Sequence, residues 1–298
     1  VDHILLVFIA VAEKKNFSRA AEELHMTQPS VSQQIQLLER NLGTKLLNRT
    51  NKFVELTKAG EIVYSHAKEI TGLYKRMSTL VNDLMNEANG LLKIGASYTF
   101  GEYVLPYMLA KLKHQYPNVT PSVLIGNTRE IAQAVFNHQI DIGIVEGEVA
   151  NQKLYLKTFA TDEMYILAGA NHYLVNNKEV TTDQLEQETW IVREEGSGTR
   201  EATDRLFDKL KIRPTKLVEF GSTQLIKEAV EAGLGISYLS GLTVKKEKLL
   251  HTIYVLNVEG TPIKRNFSIL TEPVQLQTKS MQVFTQLIED HYKTQKEN

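Results

Sequence analysis

The sequence predicts an α+β multidomain protein built as three successive parts: a winged helix-turn-helix, a long amphipathic helix and an α/β region. Three observations carry this prediction. Two short helical patterns, separated by a break at His25 and Met26, lie in a basic segment near the N-terminus. Apolar residues then recur every seven positions from Val63 to Leu84. From Leu91 onward, short apolar runs alternate with helical patterns.

Composition narrows the function classes. The 298 residues exceed one typical domain, and 42% hydrophobic with 23% charged residues is the balance of a folded, soluble chain. The absence of cysteine removes disulfides, thiolate metal sites and a cysteine nucleophile, and fits a reducing cytoplasm. The apolar run Ile4 to Ala12 follows Asp2 rather than a basic stretch and is too short to span a bilayer. It reads as a buried first helix, and no membrane partner is expected. The net charge is −1, yet between Lys14 and Lys58 eight basic residues face four acidic ones. A basic module attached to a slightly acidic remainder is the charge layout of a DNA reader with a second function.

In "NFSRAAEELHMTQPSVSQQIQLLERNLG", Ser18 can cap a helix carrying Ala20, Ala21 and Leu24, whose small pair admits a second helix closely. Thr27 is the next N-cap, with Pro29 in the first turn where its missing N–H costs nothing. Val31, Ile35, Leu38 and Leu42 form the apolar stripe of this second helix; Pro29, Gln33, Gln36 and Arg40 fall on the other side. A Gln- and Ser-rich face suits base edges in a major groove, or is an ordinary polar face. After Gly43, Leu46 and Leu47 lead into "NRTNK" and back through Phe53, Val54 and Leu56, a two-stranded wing with Arg49 and Lys52 at its tip. Those two side chains reach phosphate or a minor groove, or are merely solvated.

From Thr57, a possible cap, a helix over 58–88 would be roughly 45 Å long. Val63, Ile70, Met77 and Leu84, with Leu73 and Leu80 between them, form an a/d seam that wants a partner helix or an intramolecular one. His66 falls on this seam as a packing residue, and no metal site is expected.

Strands are expected at 91–96, 121–125, 140–145, 163–168, 189–193, 217–220, 235–239, 252–256 and 266–271, in largely parallel sheets. Four stretches, "IGASYTFGEY", "IGNTREI", "REEGSGTREA" and "EFGSTQLIKEA", each run from a strand through Gly and Ser or Thr into a helix. Such junctions put N–H groups, hydroxyls and positive helix ends together, which holds an anion without a metal. Each alone is also an ordinary helix cap. Enzymatic readings are poor: "EGSGT" is not a nucleophile elbow, His114, His138 and His172 have no partner at fixed spacing, and Asp141 suits a cap or network.

The segment "FSRAAEELHMTQPSVSQQIQLLERNLGTKLLNRTNKFVELTKAGE" resembles, over its whole length, the winged helix-turn-helix of LysR-type transcriptional regulators. The resemblance implies a DNA-binding domain at 1–57, a dimerising linker helix at 58–88 and an effector-binding domain at 91–298. The last is similar to periplasmic solute-binding proteins, with one subdomain of 91–161 and 265–298, another of 162–264, and the effector between them. It implies DNA contacts from Gln28, Pro29, Ser32 and Gln33, with Ser18, Arg49 and Lys52 nearer the backbone or minor groove; many members carry Arg where this chain has Gln33. The effector would touch Ser97, Thr99, Phe100, Asn127 and Thr128 from one side and Ser197, Thr199 and Thr223 from the other. Arg129, Arg193 and Arg200 would neutralise an anion, and Glu146 would meet an ammonium group.

"GASYTFGEYVLP", "VEG" and "GSGTRE" look most like the branch tied to sulfur assimilation and carbon fixation. The implied partners are dyad-symmetric double-stranded DNA, a second copy through the linker helix, a homotetramer, a small metabolite and RNA polymerase, with no cofactor. The function so implied is regulation of promoter activity by a small anionic metabolite. A solute receptor for transport and an anion-processing enzyme are the rival readings.

If Gln33 reads a base, Gln33→Ala relaxes preference at one operator position by about 1–3 kcal/mol, whereas Lys52→Ala weakens all sites alike and flattens the salt dependence. Titration of operator variants at several salt concentrations separates the two, and uniform loss from both refutes the assigned roles.

Overall fold

The computed structural model describes residues 3–49, 54–83, 88–149, 154–272 and 277–297. They fall into two compact units, residues 1–85 with 137–139, and residues 86–136 with 140–298. Each unit has its own core.

In the first unit, helices α1 (His3–Lys14), α2 (Phe17–Glu23) and α3 (Gln28–Leu42) precede a hairpin of β1 (Leu47–Arg49) and β2 (Val54–Leu56). The apolar run near the N-terminus is α1, which buries Val7, Phe8, Ala10 and Val11 against Ala20, Ala21, Val31, Ile35, Leu38, Leu46 and Leu47. Ser18 does not cap α2: it lies in the first turn, and Asn16 Oδ1 accepts from the amides of Ser18 and Arg19. An Asn one residue before the helix reaches those amides better than a hydroxyl already inside it. Thr27 caps α3 as expected, accepting from the Ser30 amide, and Gly43 closes it with φ 68°.

The apolar stripe of α3 is shorter than its periodicity suggests. Leu42 is 48% exposed, and Glu39 is buried instead. The Glu39 carboxylate accepts from the amides of Leu46 (3.0 Å) and Leu47 (3.4 Å) and from Lys45 Nζ (2.8 Å). A charge thus satisfies the chain as it leaves the helix for the wing.

Helix α4 (Lys58–Asp83) is capped by Thr57, whose hydroxyl accepts from the Gly60 amide. Gly60 is required here: a Cβ would lie 2.1 Å from the Leu46 carbonyl oxygen. Val63, placed on the seam by its spacing, packs with Tyr64 against the first core. Ile62 replaces it, 63% exposed, at the head of an exposed row with Ile70, Leu73, Met77 and Val81. The seam position at Leu84 lies outside the described residues.

The second unit begins with β3 (Gly90–Ser97), α5 (Tyr98–Tyr103), α6 (Leu105–Gln115), β4 (Val119–Gly126), α7 (Thr128–Phe136) and β5 (Ile142–Glu146). The chain then runs along β6 (Tyr155–Gly169) into α8 (Thr182–Gln187), β7 (Thr189–Arg193), α9 (Gly198–Leu210), β8 (Lys216–Phe220), α10 (Thr223–Glu231) and β9 (Ile236–Ser240). Helix α11 (Lys245–Leu249), β10 (Ile253–Val255), β11 (Ile263–Thr271) and α12 (Lys279–Glu297) complete it.

The strands join in the order β4-β3-β5-β11-β6-β9-β7-β8, with β10 on β6. They are parallel on both flanks, β4-β3-β5 and β9-β7-β8, but antiparallel in the middle, so the expectation of largely parallel sheets holds only for the flanks. The antiparallel centre is where β6 and β11 carry the chain from one flank to the other, with Asp162 opposite Arg265. Strand β6 starts well before residue 163 because Tyr155–Thr161, though mostly exposed, pair with Asn266–Thr271 of β11. Helices cover both faces: Phe100, Met108, Phe267 and Phe284 pack one side of the first flank, Ile131, Val135 and Leu270 the other. Trp190, Leu206 and Tyr238 fill the second flank, whose other face carries Ile226 and Val230.

Burial raises the Glu39 carboxyl, but hydrogen bonds from Lys45 and the amides of Leu46 and Leu47 outweigh it and hold the group below the usual glutamate range. A depressed carboxylate contributes stability above its unfolded value and loses it as pH falls through the folded one. Glu39→Ala is therefore expected to cost about 1–3 kcal/mol at neutral pH, a deficit that shrinks in acid. Denaturation at several pH values and faster hydrogen exchange at Leu46 and Leu47 check this.

Candidate functional site

In the first unit, α3 presents Gln28, Pro29, Gln33, Gln36 and Arg40 to solvent, with Ser32 half-buried. Gln28 Nε2 donates to Ser32 Oγ at 3.0 Å, so two of the residues expected at a base edge are already ordered side by side. Ser18 is exposed at the start of α2. Arg49 ends β1, while Lys52 lies outside the described residues.

In the second unit, all four Gly–Ser/Thr junctions form: β3 into α5, β4 into α7, β7 into α9 and β8 into α10. Asn127 and Glu130 exchange side chain-to-amide bonds at 2.9 Å, and Ser197 and Ser222 cap α9 and α10. These junctions, with the end of β5 at Glu146, bring Ser97, Thr99, Asn127, Thr128, Glu146, Ser197, Thr199 and Thr223 to the strand ends, all buried. Phe100 does not join them. Its ring is edge-on to Phe159 and Phe267 in the core, because one residue further along α5 turns the side chain from the strand ends into the sheet.

The hydroxyl groups gather around two buried guanidinium groups. Arg265 donates through Nε to Asp162 (2.8 Å), through Nη1 to Thr199 (2.9 Å) and through Nη2 to Thr99 (3.0 Å). Arg193 donates to both Glu194 oxygens and to Thr223 Oγ1 (3.1 Å), and its guanidinium lies 4.4 Å from the centre of the Tyr98 ring. Glu194 also accepts from Asn127. Glu146 binds the Ser97 hydroxyl and stands 3.8 Å from Arg265; burial pushes its carboxyl above the usual range, with Arg265 opposing. The group expected to meet an ammonium is thus already beside a cation. Thr128 Oγ1 donates to the Glu146 carbonyl, and a Cβ on Gly198 would lie 2.0 Å from that same carbonyl oxygen. Only glycine lets α9 approach β5 this closely.

A cavity of about 870 Å3 adjoins this cluster, lined by Thr128, Ser197, Gly196 and Arg129 among others. Arg129 is exposed and has no carboxylate partner among the described residues. Arg200 faces the same cavity but is spent on Asp204 and Glu219. Glu148, Glu195 and Glu201 also reach the rim. Asp141 takes the network role its position suggests, accepting from the Lys93 amide at 2.8 Å.

Sequence reasoning missed Arg265, Asp162 and Glu194. A signal for the first two exists. Along β11 burial alternates so that Arg265 shares the inward face with Phe267, and along β6 Asp162 sits between the inward Ala160 and Met164. A charge at the inward phase of a strand needs a buried partner, and each supplies the other's. Among the described residues no group of His, Cys, Asp and Glu could hold a metal ion, and no helix is long and apolar enough to cross a membrane.

Comparison with known proteins agrees with both units. Residues 3–61 match the family described as bacterial regulatory helix-turn-helix protein, lysR family, and residues 85–293 match the LysR substrate binding domain. The chain is 39% identical over 292 residues to the HTH-type transcriptional regulator CysL of Bacillus subtilis, covering 98% of each. The CcmR regulatory domain of Synechocystis PCC6803, solved in complex with 2-PG, is 27% identical with a TM-score of 0.63, over 68% of this chain and 97% of that one. Full-length CbnR complexed with its target DNA has the same fold, with 23% identity and a TM-score of 0.72 over 97% of this chain and 98% of that one.

Removing Arg265 strands two buried carboxylates. Arg265→Met is expected to destabilise the second unit by about 3–5 kcal/mol, and adding Asp162→Asn to restore part of the loss. Denaturation followed by Trp190 fluorescence measures both; equal effects of the single and double variants would separate the pair energetically.

Proposed function

Because the chain belongs to the LysR family of bacterial transcriptional regulators, we propose that it controls promoters in response to a small anionic metabolite held at the strand-end cluster. The observation that carries the anionic reading is the pair of buried guanidinium groups, Arg193 and Arg265, aimed at hydroxyls where three helices, α5, α9 and α10, begin. An anion can take over contacts that Thr99, Thr199 and Thr223 now supply, and charge-assisted hydrogen bonds of about 1.5–3 kcal/mol each suffice for micromolar binding. The 2-PG bound by the CcmR regulatory domain supports a phosphate-bearing or carboxylate ligand. Likeness to CysL supports a regulon in sulfur and cysteine metabolism.

The effector contacts in this reading are Ser97, Thr99, Asn127, Thr128, Glu146, Ser197, Thr199 and Thr223, joined by Arg193 and Arg265. Residues 91–161 with 265–298 form one subdomain and 162–264 the other, with the ligand between them. The exposed row on α4 pairs two chains, since Ile62, Ile70, Leu73, Met77 and Val81 otherwise stay in water. Two heads so related read a dyad-symmetric site, with Gln28, Pro29, Ser32 and Gln33 toward the bases and Ser18, Arg49 and Lys52 toward the backbone. Assembly to a tetramer, contact with RNA polymerase and action in the cytoplasm complete the proposal.

A thermal-shift screen with sulfur-containing, acyl-serine and sugar-phosphate anions tests it. A true effector at a hundred times its Kd adds about 2.7 kcal/mol of stability and changes the footprint on promoter DNA. A ligand that binds tightly yet leaves footprint and transcription unchanged would sink the regulatory role, because only differential affinity for two states shifts them.

A further inference from the structure

Behind the helices that bring Thr99 and Thr223 to the strand ends lies a second cavity, of about 680 Å3. One wall comes from α5, α6 and α12, the other from α10 and residues 242–247. Lys111, Lys227, Lys245 and Lys246 line it against two carboxylates, Glu102 and Glu247. Lys227 is buried, with its ammonium 2.5 Å from Glu247 and 5.2 Å from the centre of the Tyr103 ring. That pair cancels, which leaves three ammonium groups facing Glu102.

Lys245 and Lys246 are exposed and have no carboxylate partner among the described residues. Lys111 Nζ stands 3.3 Å from His291 Nδ1, and burial together with Lys111 holds this imidazole below its usual range. Burial pushes the Glu102 carboxyl up, with Arg193 and Lys227 opposing, and one carboxylate leaves the three lysines in excess. Tyr103, Tyr107 and Tyr292 supply the less polar part of the wall.

We propose that this cavity is a second anion site, taking a phosphorylated small molecule. The volume falls in the range of metabolite pockets, roughly 300–1,000 Å3. Ammonium groups on flexible stems act as point charges, and three of them converging on one space call for more than one negative charge, which a carboxylate monoanion lacks. The walls belong to both flanks of the sheet, so a ligand here ties them together. Arg193 of the strand-end cluster and Lys227 of this cavity both oppose the rise of the Glu102 carboxyl.

Isothermal titration of the full chain with pyrophosphate tests the site. The expected result is saturable binding that Lys245→Gln with Lys246→Gln weakens about tenfold or more, while Arg129→Gln, at the exposed rim of the first cavity, leaves it in place. Lys178→Gln with Lys216→Gln, at exposed positions elsewhere, is expected to bind as the parent does. The proposal is overturned if the parent does not bind pyrophosphate, if Lys245→Gln with Lys246→Gln changes nothing, or if the Lys178/Lys216 control loses as much. Loss of binding in the Arg129→Gln variant overturns it too, by placing the anion in the first cavity. The exposed lysines leave the fold intact, which an unchanged melting curve verifies.

Discussion

The salt bridge between Arg265 and Asp162 is the constraint on which the second unit depends. It joins directly paired residues of β6 and β11, the strands that carry the chain between the two flanks. Desolvating both charges costs several kcal/mol per ion, and Coulomb attraction alone does not return it. The remainder comes from Thr99 on α5 and Thr199 on α9, which satisfy the guanidinium from either side, and from Ser240, which donates to Asp162 at 2.6 Å. The buried hydroxyls at the strand ends are therefore part of one charge network as well as helix ends. Gly198 belongs to the same arrangement, since any side chain there would lever α9 from β5.

Both buried guanidinium groups already hold carboxylate and hydroxyl partners, and on the proposed reading that shapes what an effector must do. A molecule entering the cluster would then have to exchange contacts with Arg193 and Arg265. Such exchange costs little when the newcomer carries its own charge, and much when it is neutral. Discrimination among anions then rests on how many hydroxyls each re-engages, and response rests on which disposition of the two flanks allows it.

Much of this was legible in the sequence, because the signals were local. Each of the nine expected strands overlaps an observed one, and Thr27, Pro29 and Gly43 bound α3 through their own backbone chemistry. What escaped was non-local. Ser18 and Asn16 are equally good caps by residue type, and only the helix start decides between them. Val63 and Ile62 are adjacent apolar residues, and the head core claims one and leaves the other to the exposed row. Glu39 looks like a solvated helix residue until the chain after Gly43 turns its amides back toward it. Phe100 carries the chemistry of a ligand wall and of a core alike; Phe159 and Phe267, far along the chain, settle which. For Arg265 the inward phase of the strand was visible, but its partner lies 103 residues earlier.

The register of β6 against β11 shifts between Phe267 and Ser268, so the two flanks are matched to different alignments of the same two strands. Such a pair has neighbouring wrong alignments close at hand, and a slip of one residue sends every side chain of a strand to the opposite face. Here that error would turn Arg265 outward and leave Asp162 and Glu146 enclosed without their cation. The salt bridge thus singles out the observed register as the alignment in which both buried charges keep a partner. A slipped sheet could keep its backbone hydrogen bonds, but it would enclose bare charge.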